Sequence, residues 1–128
     1  MDELVLAALA VRANAYAPYS RHAVGAAIRD TQGRIHVGAN VENAAYPQGQ
    51  CAEANAIGAM IAGGGRRIEA IAIAGPGPAL CTPCGGCRQR IREFATPDTA
   101  ITIADPEGIR QTFTLDELLP AAFGPDNL

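Results

Sequence analysis

Four cysteines and one glutamate have residue types and spacing that could support metal-assisted chemistry. The cysteines are Cys51, Cys81, Cys84 and Cys87, and Glu53 follows the first of them by two residues. Thiolates are among the ligands that zinc prefers in proteins. Three of them leave the fourth zinc position to water, and an adjacent carboxylate can take a proton from that water. The pattern therefore predicts a hydrolytic zinc site.

Simpler interpretations of the same residues remain open. Free cysteine is often a small core residue. Alternatively, Cys81 could complete a closed structural site with the other three cysteines, since Cys81-x-x-Cys84-x-x-Cys87 is a suitable spacing. Glu53 could be an ordinary acid in the first turn of a helix. Its apolar neighbours favour a chemical role, because a bare buried carboxylate is costly.

The elements that must position these residues follow from composition and periodicity. Residues 3–16 predict a helix ended by Pro18, and residues 24–28 and 34–39 predict a hairpin whose turn is 30–33. On the polar face of that hairpin, His36 is expected to be solvated. The remaining predicted elements are a buried helix 52–62, a buried strand 68–74, a helix 85–94, strands 100–104 and 111–114, and a helical turn 115–119.

This order of elements predicts one α/β domain over residues 1–128. It indicates a three-layer α/β/α sandwich around one mixed five-stranded sheet. Cys51 and Cys84 begin two of the predicted helices. We expect both helix starts to lie beyond the C-terminal ends of adjacent strands, where such sheets keep their ligand crevice. Helix N-termini also stabilise thiolates.

Composition and charge exclude several classes of function. The chain is 48% hydrophobic and 18% charged, which argues against disorder. A net charge of -3 gives no basic field for a phosphate backbone, so no nucleic-acid partner is expected and a polynucleotide editor is the least favoured function. The apolar run 4–11 is too short to span a membrane and follows two acids, unlike a secretory signal. We expect a cytoplasmic protein with reduced cysteines.

Taken together, the motifs resemble those of cytidine deaminases of the short, three-cysteine class. Cys-x-Glu followed by Pro-Cys-x-x-Cys is also the general signature of zinc deaminases. The resemblance covers nearly the whole chain. Its segments are Tyr16-Ala-Pro-Tyr-Ser20, Val24-Gly-Ala-Ala27, Asn40-Val-Glu-Asn-Ala-Ala-Tyr46, Cys51-Ala-Glu53, Pro83-Cys-Gly-Gly-Cys-Arg-Gln89 and Glu117-Leu-Leu-Pro-Ala-Ala-Phe123.

The resemblance implies roles for the residues of the zinc centre and an activity. Cys51, Cys84 and Cys87 would bind Zn²⁺, and Glu53 would move protons between water, N3 of cytosine and the departing ammonia. Free cytidine and 2′-deoxycytidine would become uridine and 2′-deoxyuridine, a reaction of pyrimidine salvage. No organic cofactor is implied.

The resemblance also implies how the nucleoside is bound. Asn40 and Glu42 match a pair that hydrogen-bonds the ribose, and Ala52 matches a residue whose backbone N–H meets the pyrimidine carbonyl. Phe123 matches an aromatic residue near the base. In the family this residue can come from a neighbouring subunit of a homotetramer.

Two positions depart from the family pattern. His22 stands where a phenylalanine is common, which changes the packing around the substrate, so His22 is a candidate substrate contact. Ala54 stands where many members have an arginine that donates to the zinc thiolates. We expect Arg88 to supply those donors, assisted by Asn55 or the helix dipoles. These departures leave two rivals open, a deaminase of a modified nucleoside or nucleoside antibiotic and a non-catalytic module with structural zinc.

Overall fold

The computed structural model describes residues 2–128, which form helices around one mixed sheet with strand order β2-β1-β3-β4-β5. The strands are β1 (Gly25–Asp30), β2 (Ile35–Ala39), β3 (Ile68–Ala74), β4 (Ala100–Asp105) and β5 (Gly108–Thr114). The α-helices are α1 (Glu3–Arg12), α2 (Ala52–Ala62), α3 (Gly85–Phe94) and α4 (Leu115–Leu118), and short 3₁₀ turns cover Tyr46–Gln48 and Pro125–Asn127. Within residues 2–128, no helix has the length and apolar character needed to cross a membrane.

The predicted three layers are confirmed, with helices on both faces of the sheet. On one face, α1 packs the side chains of Leu4, Val5 and Ala8 against small residues of the central strands. On the other face, α2 and α3 bury an isoleucine-rich cluster that includes Met60 and Ile91. This two-sided burial explains why the central strands read as continuous apolar runs.

Strand pairing corrects one expectation about the site. Strand β1 is antiparallel to both β2 and β3, and β3 is parallel to β4. The strands that precede the two cysteine-bearing helices, β2 and β3, therefore point the same way but are not adjacent. The tight hairpin places β1 between them, so that Gly25 pairs with both Ala39 and Ala74. The start of β1 thus lies at the edge where α2 and α3 begin.

Helix α1 is shorter than the sequence predicts. It ends at Arg12, and the following residues make tighter turns, with the Ala13 N–H donating to the Ala10 carbonyl. Tyr16 then pairs with the segment after β2, because its N–H donates to Asn40 and its carbonyl accepts from Glu42. This pairing draws residues 14–16 out of the helix despite their helical propensity.

The end of β1 remote from the cysteines holds a buried carboxylate. Asp30 is 1% exposed and accepts hydrogen bonds from the N–H groups of Gln32 and Arg34. His36, expected in solvent, is instead largely buried, with Nε2 2.8 Å from Asp30 Oδ2. The His36 contact, with the backbone donors, lowers the pKa of Asp30 to about 2.

Strand β5 begins earlier than its predicted start at residue 111. A tight Pro106-Glu107 turn joins β4 to β5, with Asp105 pairing with Gly108. Gly108 has φ +123°, and the register shifts between Ile109 and Gln111, as in a bulge near a hairpin turn. Arg110 donates to Asp105 Oδ2 at 2.6 Å and braces this turn.

Candidate metal centre and active site

Three of the four cysteines meet where α2 and α3 begin. Cys51 is the N-cap of α2 and Cys84 is the N-cap of α3, and neither side chain caps its helix by a hydrogen bond. Cys87 follows in the first turn of α3. The three sulfur atoms lie within 4.8 Å of one another. Tetrahedral zinc with bonds of about 2.3 Å would place its sulfur ligands about 3.8 Å apart, so this group fits zinc with small adjustments.

The protein environment shifts the pKa values of the three thiols in different directions. Burial raises the pKa of Cys87 and of Cys51. The backbone N–H of Cys87 lowers the pKa of Cys84. The helix N-termini favour thiolates, but burial opposes ionisation of two of the three groups. A cation at their centre resolves this conflict, which is the chemistry that a zinc ion supplies.

Glu53 lies beside this cluster in the first turn of α2. It is 5% exposed, and burial raises the pKa of its carboxyl group. A buried carboxyl group whose pKa is raised in this way is suited to acid–base chemistry.

Cys51, Cys84 and Glu53 share one cavity of about 190 Å³. The start of β1, the end of β2 and the loop before α3 complete its walls. The lining residues are His22, Val24, Asn40, Cys51, Ala52, Glu53, Cys81, Thr82 and Cys84.

Asn40 and Glu42, the expected ribose ligands, both fasten the segment that leads into β1. The Asn40 amide accepts from Val24 N–H at 2.9 Å and donates to the His22 carbonyl at 2.8 Å. Glu42 accepts from the N–H groups of Tyr19 and Ser20 and from the Ser20 hydroxyl. The Ser20 hydrogen bond lowers the pKa of Glu42. Asn40 lines the cysteine cavity, whereas Glu42 lines a second cavity of about 350 Å³.

Cys81 stands apart from the three-thiol cluster, so the described residues do not form the closed four-cysteine site. Its sulfur lies 3.6 Å from Nε2 of His22, and both side chains line the cavity wall. Burial raises the pKa of Cys81 to about 11, which keeps it a neutral thiol.

The expected role of Arg88 is corrected by the geometry. Its guanidinium donates to the carbonyl oxygens of Pro83 and Leu118 and lies 3.3 Å from the Thr82 hydroxyl. These acceptors hold the guanidinium on the loop before α3 and on the end of α4, away from the sulfurs. Arg90 donates to the Cys87 sulfur instead, at 3.5 Å.

Two further expected residues make contacts elsewhere. Asn55 donates to the carbonyl of Ala39 at 2.7 Å and ties α2 to β2. Phe123 is 57% exposed and does not line the cysteine cavity, and its carbonyl accepts from Gln89.

Comparison with known proteins identifies the family. The family model described as "Cytidine and deoxycytidylate deaminase zinc-binding region" matches residues 1–103. The chain belongs to this deaminase family. The match includes all three clustered cysteines and Glu53.

Individual relatives of this deaminase agree over nearly the whole chain. It is 38% identical to the cytidine deaminase of Halalkalibacterium halodurans over 98% of this chain and 95% of the relative. It is 41% identical to the cytidine deaminase of Mycobacterium tuberculosis over 91% of this chain and 84% of the relative. The crystal structure of cytidine deaminase from Burkholderia pseudomallei superposes with a TM-score of 0.89 at 38% identity, covering 96% of this chain and 100% of that one.

The structure also places residues that the sequence motifs did not single out. Tyr19 and Ser20 belong to a recognised segment, yet only the fold shows that they bind the Glu42 carboxylate. The sequence does not distinguish Arg90 from the other arginines of α3, and only the structure shows its contact with the Cys87 sulfur. In this deaminase, the loops before β1 and α3 therefore contribute as much to the cavity as the helices do.

Proposed function

We propose that this protein catalyses the hydrolytic deamination of free cytidine and 2′-deoxycytidine to uridine and 2′-deoxyuridine with release of ammonia. The observation that carries the proposal is the cluster of Cys51, Cys84 and Cys87, two of which share a cavity with the buried Glu53. Relatives at 38% and 41% identity that are named cytidine deaminases support the substrate class.

In this proposal, Cys51, Cys84 and Cys87 would hold Zn²⁺, which when bound would supply a water molecule of lowered pKa as the nucleophile. Glu53 takes a proton from the attacking water and delivers it to N3 of the cytosine ring. It then takes the proton of the new C4 hydroxyl group and delivers it to the amino nitrogen, which leaves C4 as ammonia while the C4 carbonyl forms. Burial raises the pKa of Glu53, which makes its carboxylate a stronger proton acceptor than an exposed one.

The remaining cavity residues orient the nucleoside. Ala52 is in the first turn of α2, where backbone N–H groups have no partner within the helix, and its N–H is suited to the pyrimidine carbonyl. The 190 Å³ cavity is below the roughly 300–1,000 Å³ of ordinary small-molecule sites. It is therefore sized for the base, with the ribose directed outward to Asn40 and Glu42. His22 forms part of the wall beside the base.

We further propose that residues 1–128 act as one deaminase domain within a cytoplasmic homotetramer that serves pyrimidine salvage. The free cysteines support a reducing compartment, since three thiols must stay reduced to bind zinc. Exposed aromatic side chains support assembly, because Tyr46 is 76% exposed and Phe123 is 57% exposed. In such an assembly, Phe123 would reach the base in a neighbouring subunit.

A second candidate substrate class is a modified nucleoside. The observation that favours it is the His22–Cys81 pair, which gives the cavity a polar and polarisable wall. A panel of cytidine, deoxycytidine and base-modified analogues separates the two classes. Cytidine turnover far below that of an analogue would favour the second.

The experiment that tests the proposed function measures uridine formed from cytidine and zinc bound per chain in the same samples. E53Q is expected to keep its zinc and to lose activity by about 10²- to 10⁴-fold, the range typical of a removed general acid–base. E69Q, at an exposed position on β3, is the matched control and should retain both. A parent protein that binds no zinc and forms no uridine would contradict the proposal. Full activity in E53Q would also contradict it.

A further inference from the structure

The cysteine cluster concentrates negative charge in a buried place. Three thiolates around a divalent cation carry a net charge of -1, and Glu53 lines the same cavity as Cys51 and Cys84. Cys87 has no exposed surface. Sulfur ligands in such a setting ordinarily receive hydrogen bonds from surrounding groups, which orient them and tune the metal.

Helix α2 offers no cationic side chain for this purpose. Its sequence, residues 52–62, contains neither lysine nor arginine, and the residue after Glu53 is Ala54. Any cationic side chain at the cluster must therefore come from another element.

Helix α3 carries three arginines at alternate positions, and they point to different partners. Arg88 donates to the Pro83 and Leu118 carbonyl oxygens. The guanidinium of Arg92 lies against Gly124, where a Cβ atom would be 2.6 Å from its Nη2. Arg90 is three residues after Cys87 and hence on the same face of the helix, and its Nη1 donates to the Cys87 sulfur at 3.5 Å.

The surroundings of Arg90 leave its guanidinium available to the cluster. The ion pairs formed within residues 2–128 involve other basic residues, so no carboxylate holds the Arg90 guanidinium.

We propose that Arg90 is the positioning residue of this metal centre, which orients the Cys87 thiolate and offsets the negative charge of the cluster from α3. The proposal rests on the zinc deaminase function proposed above. A hydrogen bond to a ligating sulfur reduces the charge that the sulfur donates, so a bound cation becomes a stronger Lewis acid. Arg90 thereby acts on the reaction through Cys87, without touching the substrate.

The test compares R90Q and R90K with R92Q, which makes the same change of charge in the same helix. Zinc transfer to a chromogenic chelator is followed in each protein. R90Q is expected to release zinc about 10- to 100-fold faster than the parent protein, the usual effect of removing such a partner. R90K keeps the positive charge, so its rate of zinc release should lie between those of the parent and R90Q. The rate of R92Q should match that of the parent.

A second readout is spectroscopic. In Co²⁺-substituted protein, the sulfur-to-cobalt charge-transfer band of R90Q should shift relative to that of the parent, because the Cys87 sulfur has lost its donor. Arg90 is exposed, so folding should survive the change, and R90A replaces R90Q if it does not.

The results separate this proposal from the proposed function. Unchanged zinc release and an unchanged absorption band in R90Q or R90A would overturn the role of Arg90 while leaving the deaminase intact. A parent protein that neither holds zinc nor converts cytidine would instead overturn the proposed function itself.

Discussion

Gly38 of β2 lies directly against the backbone of Ala56 in α2. A Cβ atom at position 38 would overlap the Ala56 nitrogen and lie 2.6 Å from the Ala52 carbonyl oxygen. Helix α2 carries Cys51 and Glu53 at its start. The absence of a side chain on β2 therefore sets how closely the helix, and with it half of the site, approaches the sheet.

Substitution G38A is expected to displace α2 and to weaken the metal centre. The new methyl group meets backbone atoms that cannot turn aside, so the helix itself must move, at a cost of about 1–3 kcal/mol in the free energy of unfolding. Zinc per chain and thermal stability should both fall. The control is G58A on the exposed face of the same helix, where a Cβ meets nothing within 4 Å. That variant should gain about 0.5–1 kcal/mol, and equal behaviour of the two variants would contradict this account.

The cysteines are expected to divide into three ligands and one wall residue. C87A should lose zinc, because it removes one of the three clustered sulfur atoms. C81A should retain about one zinc per chain, since Cys81 contacts His22 and is not in the cluster. Metal analysis of the two purified variants is the measurement. Zinc lost from C81A as completely as from C87A would restore the four-cysteine site.

Glu42 is expected to act on nucleoside binding more than on the chemical step. Removing a charged hydrogen-bond acceptor typically costs about 1.5–3 kcal/mol, so E42Q should raise KM for cytidine about 10- to 100-fold with little change in kcat. S20A keeps the carboxylate but removes one of its donors, and a smaller rise in KM is expected. E107Q, at an exposed glutamate paired with Arg110, is the control for the loss of a negative charge. A fall in kcat alone would assign Glu42 a different role.

Asp30 is expected to make stability depend on pH below about 4. Its pKa is about 2 in the folded protein and near 3.8 without its partners, so the unfolded chain binds the proton first. The contribution of Asp30 is therefore present above pH 4 and is lost as the pH falls from about 4 towards 2. Urea unfolding across this range should show a shallower loss for D30N than for the parent. D126N, at an exposed aspartate, should follow the parent.

Much of the site could be predicted from the sequence because its residues are close together along the chain. Cys51 and Glu53 are two residues apart, and Cys84 and Cys87 are three apart at the next helix start. Spacing alone therefore places each pair at a helix N-terminus. The lengths of the intervening helix and strand bring the two pairs to one edge of the sheet.

Contacts between distant segments could not be predicted in this way. Arg88 and Arg90 have the same side chain and are two residues apart. The carbonyl oxygens of Pro83 and Leu118 lie where they accept hydrogen bonds from Arg88, which holds that guanidinium away from the cysteines. The early end of α1 likewise depends on pairing between Tyr16 and Val41, which helix propensity does not include. The alternating pattern of β2 places His36 on the polar face, yet its side chain is largely buried because it pairs with the Asp30 carboxylate.

The most direct test of the central claim follows the fall in cytidine absorbance while bound zinc is quantified in the same sample. The account predicts turnover with about one zinc per chain, loss of turnover when the metal is removed by a chelator, and recovery when one equivalent of Zn²⁺ is returned. Turnover that persists in the metal-free protein would contradict it.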